Sequence, residues 1–333
     1  QEGYRDGFGS DADHLQHPDD IDLTTAAGFT MFTIDPGAHV EGEADTLSMD
    51  MMADYFAKLD FEGLEISEED LKSAYVAKAF DLDAGRIRFD EITFLRAAVK
   101  YGNAHTASMY RHLAGAINRD FELEVSVDET DSPTSAEEHY FIASELKRLG
   151  VEWVSLAPRF VGRMEKGVDY IGDLDAFRDS FARHVSVMRA MGPYKLSIHS
   201  GSDKFSIFPV IRRVIRASGA GVHVKTSGTT WLEELIGLAE AGDDGLALAG
   251  DVYEQAYARQ EELTAPYAAV IDIDKQKLPS PEDVDQWSGS YFAKVLRHKQ
   301  DEPLYNLHVR QLLHVGYKVA AQMGERYIDA LKR

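Results

Sequence analysis

Short β-rich runs recur along the chain, each followed by a stretch of helical periodicity, and this alternation narrows the available folds more than any other feature. The runs occupy 6–12 (DGFGSDA), 29–35 (FTMFTID), 121–128 (FELEVSVD), 151–157 (VEWVSLA), 194–199 (YKLSIH) and 221–225 (GVHVK). Between them, 18–28, 135–150, 173–192, 207–219 and 231–242 space their apolar residues as helices do, and most close on glycine, a frequent helix stop. Strand followed by helix at intervals of about 30 residues is the pattern of parallel βα units.

The expected class is α/β, a (β/α)8 TIM-type barrel forming a single catalytic domain over 1–333. Chemically loaded residues stand at nearly every strand end, the face on which such barrels carry their sites. A doubly wound sheet would more often show a glycine-rich dinucleotide turn after its first strand, and Gly7-Phe8-Gly9-Ser10-Asp11-Ala12 lacks the third glycine. One stretch breaks the alternation: 47–118 contains no good strand, and its ISEEDLKSAYVAKAF and RFDEITFLRAAVKYGNAHTASMYRHLAGAI segments place apolar residues three and four apart. It is expected to be a helical insertion after the second strand, serving as a lid or a subunit contact. Nearer the C-terminus, DDGLALAGDVYEQAYARQEEL reads as helix, 268–273 as a late strand and 306–333 as closing helix.

Composition excludes several functions. Against 57 Asp and Glu stand 35 Lys and Arg, and a net charge of -22 repels a phosphate backbone, so nucleic acid is not an expected partner. No apolar run reaches the roughly 18 residues of a membrane span and QEGYRDGFG has no leader pattern, so no membrane partner and a cytoplasmic location are expected. With no Cys, thiolate ligands and nucleophiles are ruled out, leaving His and carboxylates.

Two strand ends hold unusual residues: His199 in YKLSIHSGSDKFS and His223 in GVHVKTSGTT. Alternation puts Ser197 and His199 on one face, and His223 and Lys225 on one face opposed to Val222 and Val224. If the branched aliphatics face helices, both imidazoles point into the barrel mouth, where His14 of Ser10-Asp11-Ala12-Asp13-His14 joins them. Three imidazoles with open positions make a catalytic metal site, whereas any one alone is more often a satisfied hydrogen-bonding residue. Asp128 and Glu129 end the third strand and suit acid or base duty or a solvated loop, while Ser135, Glu137 and Glu138 read as helix entry. Asp35, before Pro36, is a ligand, a base or a turn residue. Arg159, Lys204 and Lys225, with Ser200 and Asp128, are candidates for binding an anionic, hydroxylated small molecule; Lys204 and Lys225 alternatively pair with acidic neighbours. Asp81-Leu82-Asp83-Ala84-Gly85 only resembles a calcium loop, since its glycine falls one place early.

The stretches GFGSDADHL, AGFTMFTIDP, EVSVDETDSPT, EHYFIASELKRLGVEWVSLAPRFVG, YKLSIHSGSDKFSIFP and LLHVGYKVAAQMG resemble the tagaturonate epimerase family over most of the chain. The resemblance implies interconversion of D-tagaturonate and D-fructuronate with a divalent cation, and further sequence before the first motif; imidazole-rich ligation points to Mn, Zn, Ni or Co. It makes Asp13 the proton acceptor, Glu129 the proton donor, and His14, His199 and His223 the metal ligands. The chemistry expected is removal and return of a proton at carbon 3 through an enediolate. The alternatives are a metal-dependent aldose-ketose isomerase or retro-aldol lyase on a sugar acid, or a binding protein without turnover. The expected partner is the small sugar-acid substrate, and a homo-oligomer is left open.

Overall fold

In the computed structural model, residues 9–130 and 132–332 are described. Eight strands are found among them: β1 (Ala12–Leu15), β2 (Met31–Ile34), β3 (Lys78–Leu82), β4 (Gly85–Phe89), β5 (Glu122–Val127), β6 (Ser155–Pro158), β7 (Lys195–Ile198) and β8 (Val222–Val224). Six of them form one sheet in the order β1-β2-β5-β6-β7-β8, with β1/β2, β2/β5, β5/β6 and β6/β7 all parallel. The helices up to the end of this sheet are α1 (Pro18–Ala26), α2 (Met49–Phe56), α3 (Glu68–Tyr75), α4 (Glu91–Tyr101), α5 (His105–Ala116), α6 (Ala136–Arg148), α7 (Leu174–Met191) and α8 (Phe208–Ser218). Five of the predicted strands and every predicted helix of the alternating region are present within a few residues. The first strand begins later than expected, at Ala12, and positions 6–8 of that expectation lie outside the described residues.

Two compact units divide the chain. The first comprises Gln1–Val161, Asp175–His199 and Val210–His223, and the second Gly162–Leu174, Ser200–Pro209 and Val224–Arg333. In the first unit, parallel register aligns Thr33, Glu124 and Ser155 in one row and Ile34, Val125, Leu156 and Leu196 in another. Successive side chains of a strand point to opposite faces, so one face is aliphatic and the other polar. Both rows are buried. The aliphatic row suits a covering layer of helices, whereas the polar one requires internal partners and is where the site is built.

Closure into an eight-stranded barrel is not seen among the described residues. The expected strand at 268–273 is not found: 268–270 fall in a 3-10 segment, Ala265–Val270, and 271–273 pair with no strand among the described residues. The remaining sequence is helical: α9 (Ser227–Ala241), α10 (Asp243–Ala258), α11 (Gln260–Thr264), α12 (Pro281–Val284), α13 (Gly289–Leu296), α14 (Leu307–Val315), α15 (Tyr317–Met323) and α16 (Glu325–Leu331). These give the second unit its core, with Leu232, Leu235, Val252, Tyr253, Leu296 and Leu312 fully or almost fully buried.

The segment read as a wholly helical insertion contains the antiparallel hairpin β3–β4, apart from the six-stranded sheet. Its turn is the stretch resembling a calcium loop, with Gly85 at φ +116. Helix α5 packs on β2 and α1, which makes it the crossover helix from β2 to β5. The excursion therefore ends near residue 103, before the expected boundary at 118.

Two buried histidines of the first unit contribute to its acid sensitivity. His139 Nδ1 lies 3.0 Å from His184 Nδ1, and Tyr194 Oη lies 2.8 Å from His139 Nε2. Burial pulls His184 down to about 4 from an ordinary 6.5 and holds His139 well below it. Both rings are neutral in the fold and take up protons more readily when unfolded, so their contribution is complete above 6.5 and is lost as pH falls toward 4. The urea midpoint is expected to drop across that window, and less steeply after His184→Gln. An equal slope in the variant would assign the acid sensitivity elsewhere.

Candidate active site

The site grows from an irregularity in β1. Ala12 is in register with Phe32 and Leu15 with Ile34, so one extra residue is accommodated between them. His14 takes it up with φ at +53. A non-glycine residue there costs about 1–3 kcal/mol, and such bulges re-aim side chains. Regular alternation would send Asp13 and His14 to opposite faces; here both reach the same cluster.

Asp35, at the end of β2 and only 2% exposed, lies 3.0 Å from His14 Nδ1 and accepts from Gln16 Nε2 at 2.9 Å and the Gly37 amide at 2.7 Å. Burial acts to raise the Asp35 pKa, but the hydrogen bonds from His14 and Gln16 outweigh it and hold the carboxyl below its ordinary range. Burial likewise acts to lower His14, and the bond to Asp35 with the charge of Asp13 raises it overall. Of the three roles open to Asp35, the geometry supports orientation of His14, with the turn at Gly37 as a second duty.

Glu124 was not singled out from sequence, yet it is the most connected carboxylate of the polar face. It is fully buried in the middle of β5. His199 Nε2 donates to its Oε1, His223 Nδ1 lies 2.8 Å from its Oε2, and Ser155 Oγ bonds that same oxygen. The clue lay in FELEVSVD, where period two puts Glu122, Glu124, Ser126 and Asp128 on one face against Leu123, Val125 and Val127.

Carboxylates orient both imidazoles. An ionised carboxylate only accepts, so His14 presents a proton to Asp35 from Nδ1 and His199 presents one to Glu124 from Nε2. His14 Nε2 and His199 Nδ1 face each other at 3.2 Å with Asp128 Oδ1 also 3.2 Å from His199 Nδ1, an arrangement that calls for a proton or a cation between them. With metal–nitrogen bonds of about 2.1 Å, two adjacent ligand nitrogens lie about 3.0–3.4 Å apart, which brackets the separation seen. Anionic groups surround the pair. Glu129 Oε1 is 3.5 Å and Asp13 Oδ1 3.9 Å from His14 Nε2, Asp13 Oδ1 is also 3.9 Å from His199 Nε2, and Asp128 Oδ1 is 3.2 Å from His199 Nδ1. Burial opposes ionisation of Asp128, but the charge and hydrogen bond of His199 keep its carboxyl well below the ordinary range.

Asp13, His14 and His199 can converge on one ion, as can His14, Asp35 and Glu129. His223 reaches this cluster through Glu124. Arg159 follows β6 in the first unit, its backbone paired with Thr134, and among the described residues its guanidinium makes no ion pair. Ser200, Lys204 and Lys225 fall in the second unit. Lys204 is fully buried and spends all three ammonium donors on the carbonyls of Glu165, Val168 and Ser202, at 2.7, 2.6 and 3.0 Å. The expected substrate contact is thus replaced by a structural clamp. Ser200 Oγ accepts from Lys166 at 3.3 Å, and Lys225 stands half-buried just after β8.

A model of the tagaturonate epimerase family matches residues 1–330, and the chain belongs to that family. Among individual proteins it is 38% identical to the tagaturonate/fructuronate epimerase of Thermotoga maritima, over all of this chain and 65% of that protein. Two crystal structures of fructuronate-tagaturonate epimerase UxaE from Cohnella laeviribosi are similar over 99% of this chain. A glycerol complex shows 31% identity, a TM-score of 0.78 and 64% coverage of its own chain; the native form shows 30%, 0.76 and 67%. The chain thus spans just under two thirds of the Thermotoga protein and of the glycerol-bound Cohnella chain. Among the described residues no helix is long and apolar enough to cross a membrane.

Proposed function

We propose that this chain carries the epimerase centre interconverting D-tagaturonate and D-fructuronate. The observation that carries this reading is the convergence of Asp13 and Glu129 on one imidazole nitrogen, His14 Nε2, which also faces His199. Two carboxylates beside one polar centre meet the need of an inversion, in which the hydroxyl of one epimer loses a proton and the oppositely oriented alkoxide of the other gains one.

The donor set fits a divalent cation of the Mn, Zn, Ni or Co group, held by His14 and His199 with His223 or a neighbouring carboxylate completing the ligands. Bound there, it would supply stabilisation of negative charge on the ketone oxygen.

The substrates themselves revise the chemistry expected from sequence. Both are 5-oxohexonates that differ at carbon 3, so the inverted carbon is β to the ketone. Removing its hydrogen as a proton would leave charge that the ketone cannot delocalise. A β-hydroxyketone instead undergoes reversible aldol cleavage. Asp13 takes the proton of the carbon 3 hydroxyl, the bond between carbons 3 and 4 breaks, and its electron pair passes into an enediolate spanning carbons 4 and 5. Carbon 3, now an aldehyde, turns its other face. The bond re-forms, and Glu129 protonates the new alkoxide. The opposite hydroxyl orientations of the two epimers account for carboxylates on two sides, and Arg159 suits the substrate carboxylate, keeping the cleaved fragment in place.

Turnover of D-tagaturonate by the metal-loaded protein in D2O tests this. Fructuronate retaining its hydrogen at carbon 3 is expected. Deuterium at carbon 3 would restore direct proton abstraction, and absence of any epimer would overturn the functional reading.

A further inference from the structure

Helix α4 of the excursion between β2 and α5 ends beside a lysine that has no exposed surface, Lys100. An ammonium withdrawn from water is tolerated only when its protons are matched. Its Nζ lies 2.9 Å from Asp45 Oδ2, 2.6 Å from Ser132 Oγ and 3.4 Å from Glu138 Oε1. Ser132 Oγ bonds the same Asp45 oxygen, closing the network.

The placement of these partners in sequence carries the argument. Asp45 and Lys100 come from the beginning and end of the excursion, whereas Ser132 belongs to the loop that leaves β5 and carries Asp128 and Glu129. Glu138 sits in the first turn of α6, where it closes a capping box with Ser135. Further along, the loop is tied by the Thr134 amide to Arg159 O at 2.8 Å and by the Arg159 amide to Thr134 Oγ1 at 3.0 Å. Thr130 Oγ1 donates to Ser132 O at 3.1 Å, which couples the middle of the loop to the residue that Lys100 grips. Glu129 therefore hangs between the end of β5 and an anchor supplied by the excursion.

We infer that Lys100 is a positioning residue for Glu129, and that the excursion exists in part to hold the β5–α6 loop where this carboxylate meets His14. The inference rests on Glu129 being a proton-transfer group. A buried ion pair is a poor source of stability beside well-packed apolar residues, but a good means of fixing one segment relative to another. Misplacing a reacting group by even about 1 Å can cost up to about 100-fold in rate.

Ser132→Ala is the mild test, because Lys100 keeps both carboxylate partners and the fold is retained; Lys100→Gln is the stronger one. In the metal-loaded protein, Ser132→Ala is expected to lower kcat about tenfold with KM and metal content unchanged. The amides of Glu129 and Thr130 should exchange faster. Combined with Glu129→Gln, neither substitution should lower kcat further, because the group being positioned is gone. Unchanged kcat and exchange in Ser132→Ala, or the same loss persisting in the Glu129→Gln background, would overturn the inference. A normal kcat in Glu129→Gln alone would overturn both the role of Glu129 and this inference. That outcome differs from a failure of the inference alone, in which Glu129→Gln is slow and Ser132→Ala is not.

Discussion

Replacing Asp13 by Asn is expected to lower kcat by about two to four orders of magnitude, the usual size of a general-base contribution. The side chain keeps its shape and loses only its capacity to take a proton. Asp13 is about half exposed, with a side-chain accessibility of 45%, so no buried charge is stranded by the change. The bulge that brings Asp13 to the site is a backbone feature centred on His14 and should persist. Metal affinity measured by calorimetry should therefore stay within a few-fold. A parallel collapse of affinity would move Asp13 into the ligand set, consistent with the other arrangement its position permits beside His14 and His199. Near-normal turnover would remove it from the proton path.

How far the sequence revealed this site depended on whether a residue's neighbours are local. The βα rhythm was legible because hydrophobic periodicity is a short-range signal, and Ser135 with Glu138 formed the capping expected of the α6 entry. The strand-end histidines stood out for a similar reason: a polar ring closing an aliphatic run is conspicuous. The first strand was placed too early because ADHL is polar and its bulge breaks period two. Period two places Glu124 on its face, but its role is not legible in sequence, since it comes from His199 and His223, 75 and 99 residues away. Lys204 is the opposite case. A lysine after a strand looks like an anion ligand, and only the fold reveals the three carbonyls that consume it. The β3–β4 hairpin was absorbed into a helical reading because KAFDLDAGRIRF lies between strong helices, although Asp83-Ala84-Gly85 carried a turn signal.

Changing Glu124 to Gln is expected to weaken divalent-metal binding by about 10–100-fold, the cost typical of losing a group that orients a ligating imidazole. A carboxylate presents an acceptor to both His199 and His223; a carboxamide presents one acceptor and one donor. Whichever imidazole meets the NH2 group must shift its proton to the opposite ring nitrogen. For His199 that nitrogen is Nδ1, which lies 3.2 Å from His14 Nε2, so the displaced proton occupies the position where a cation would be held. Turnover should fall with metal occupancy and recover in excess metal, a rescue that loss of a proton-transfer residue such as Asp13 would not show. Glu124→Leu should be worse, leaving two imidazoles and the Ser155 hydroxyl without their buried acceptor, and it should lower thermal stability as well. If the Gln variant binds metal with undiminished affinity, Glu124 serves only to tie β5 to its neighbours. A residual activity that no metal concentration restores would instead place Glu124 in the chemistry itself.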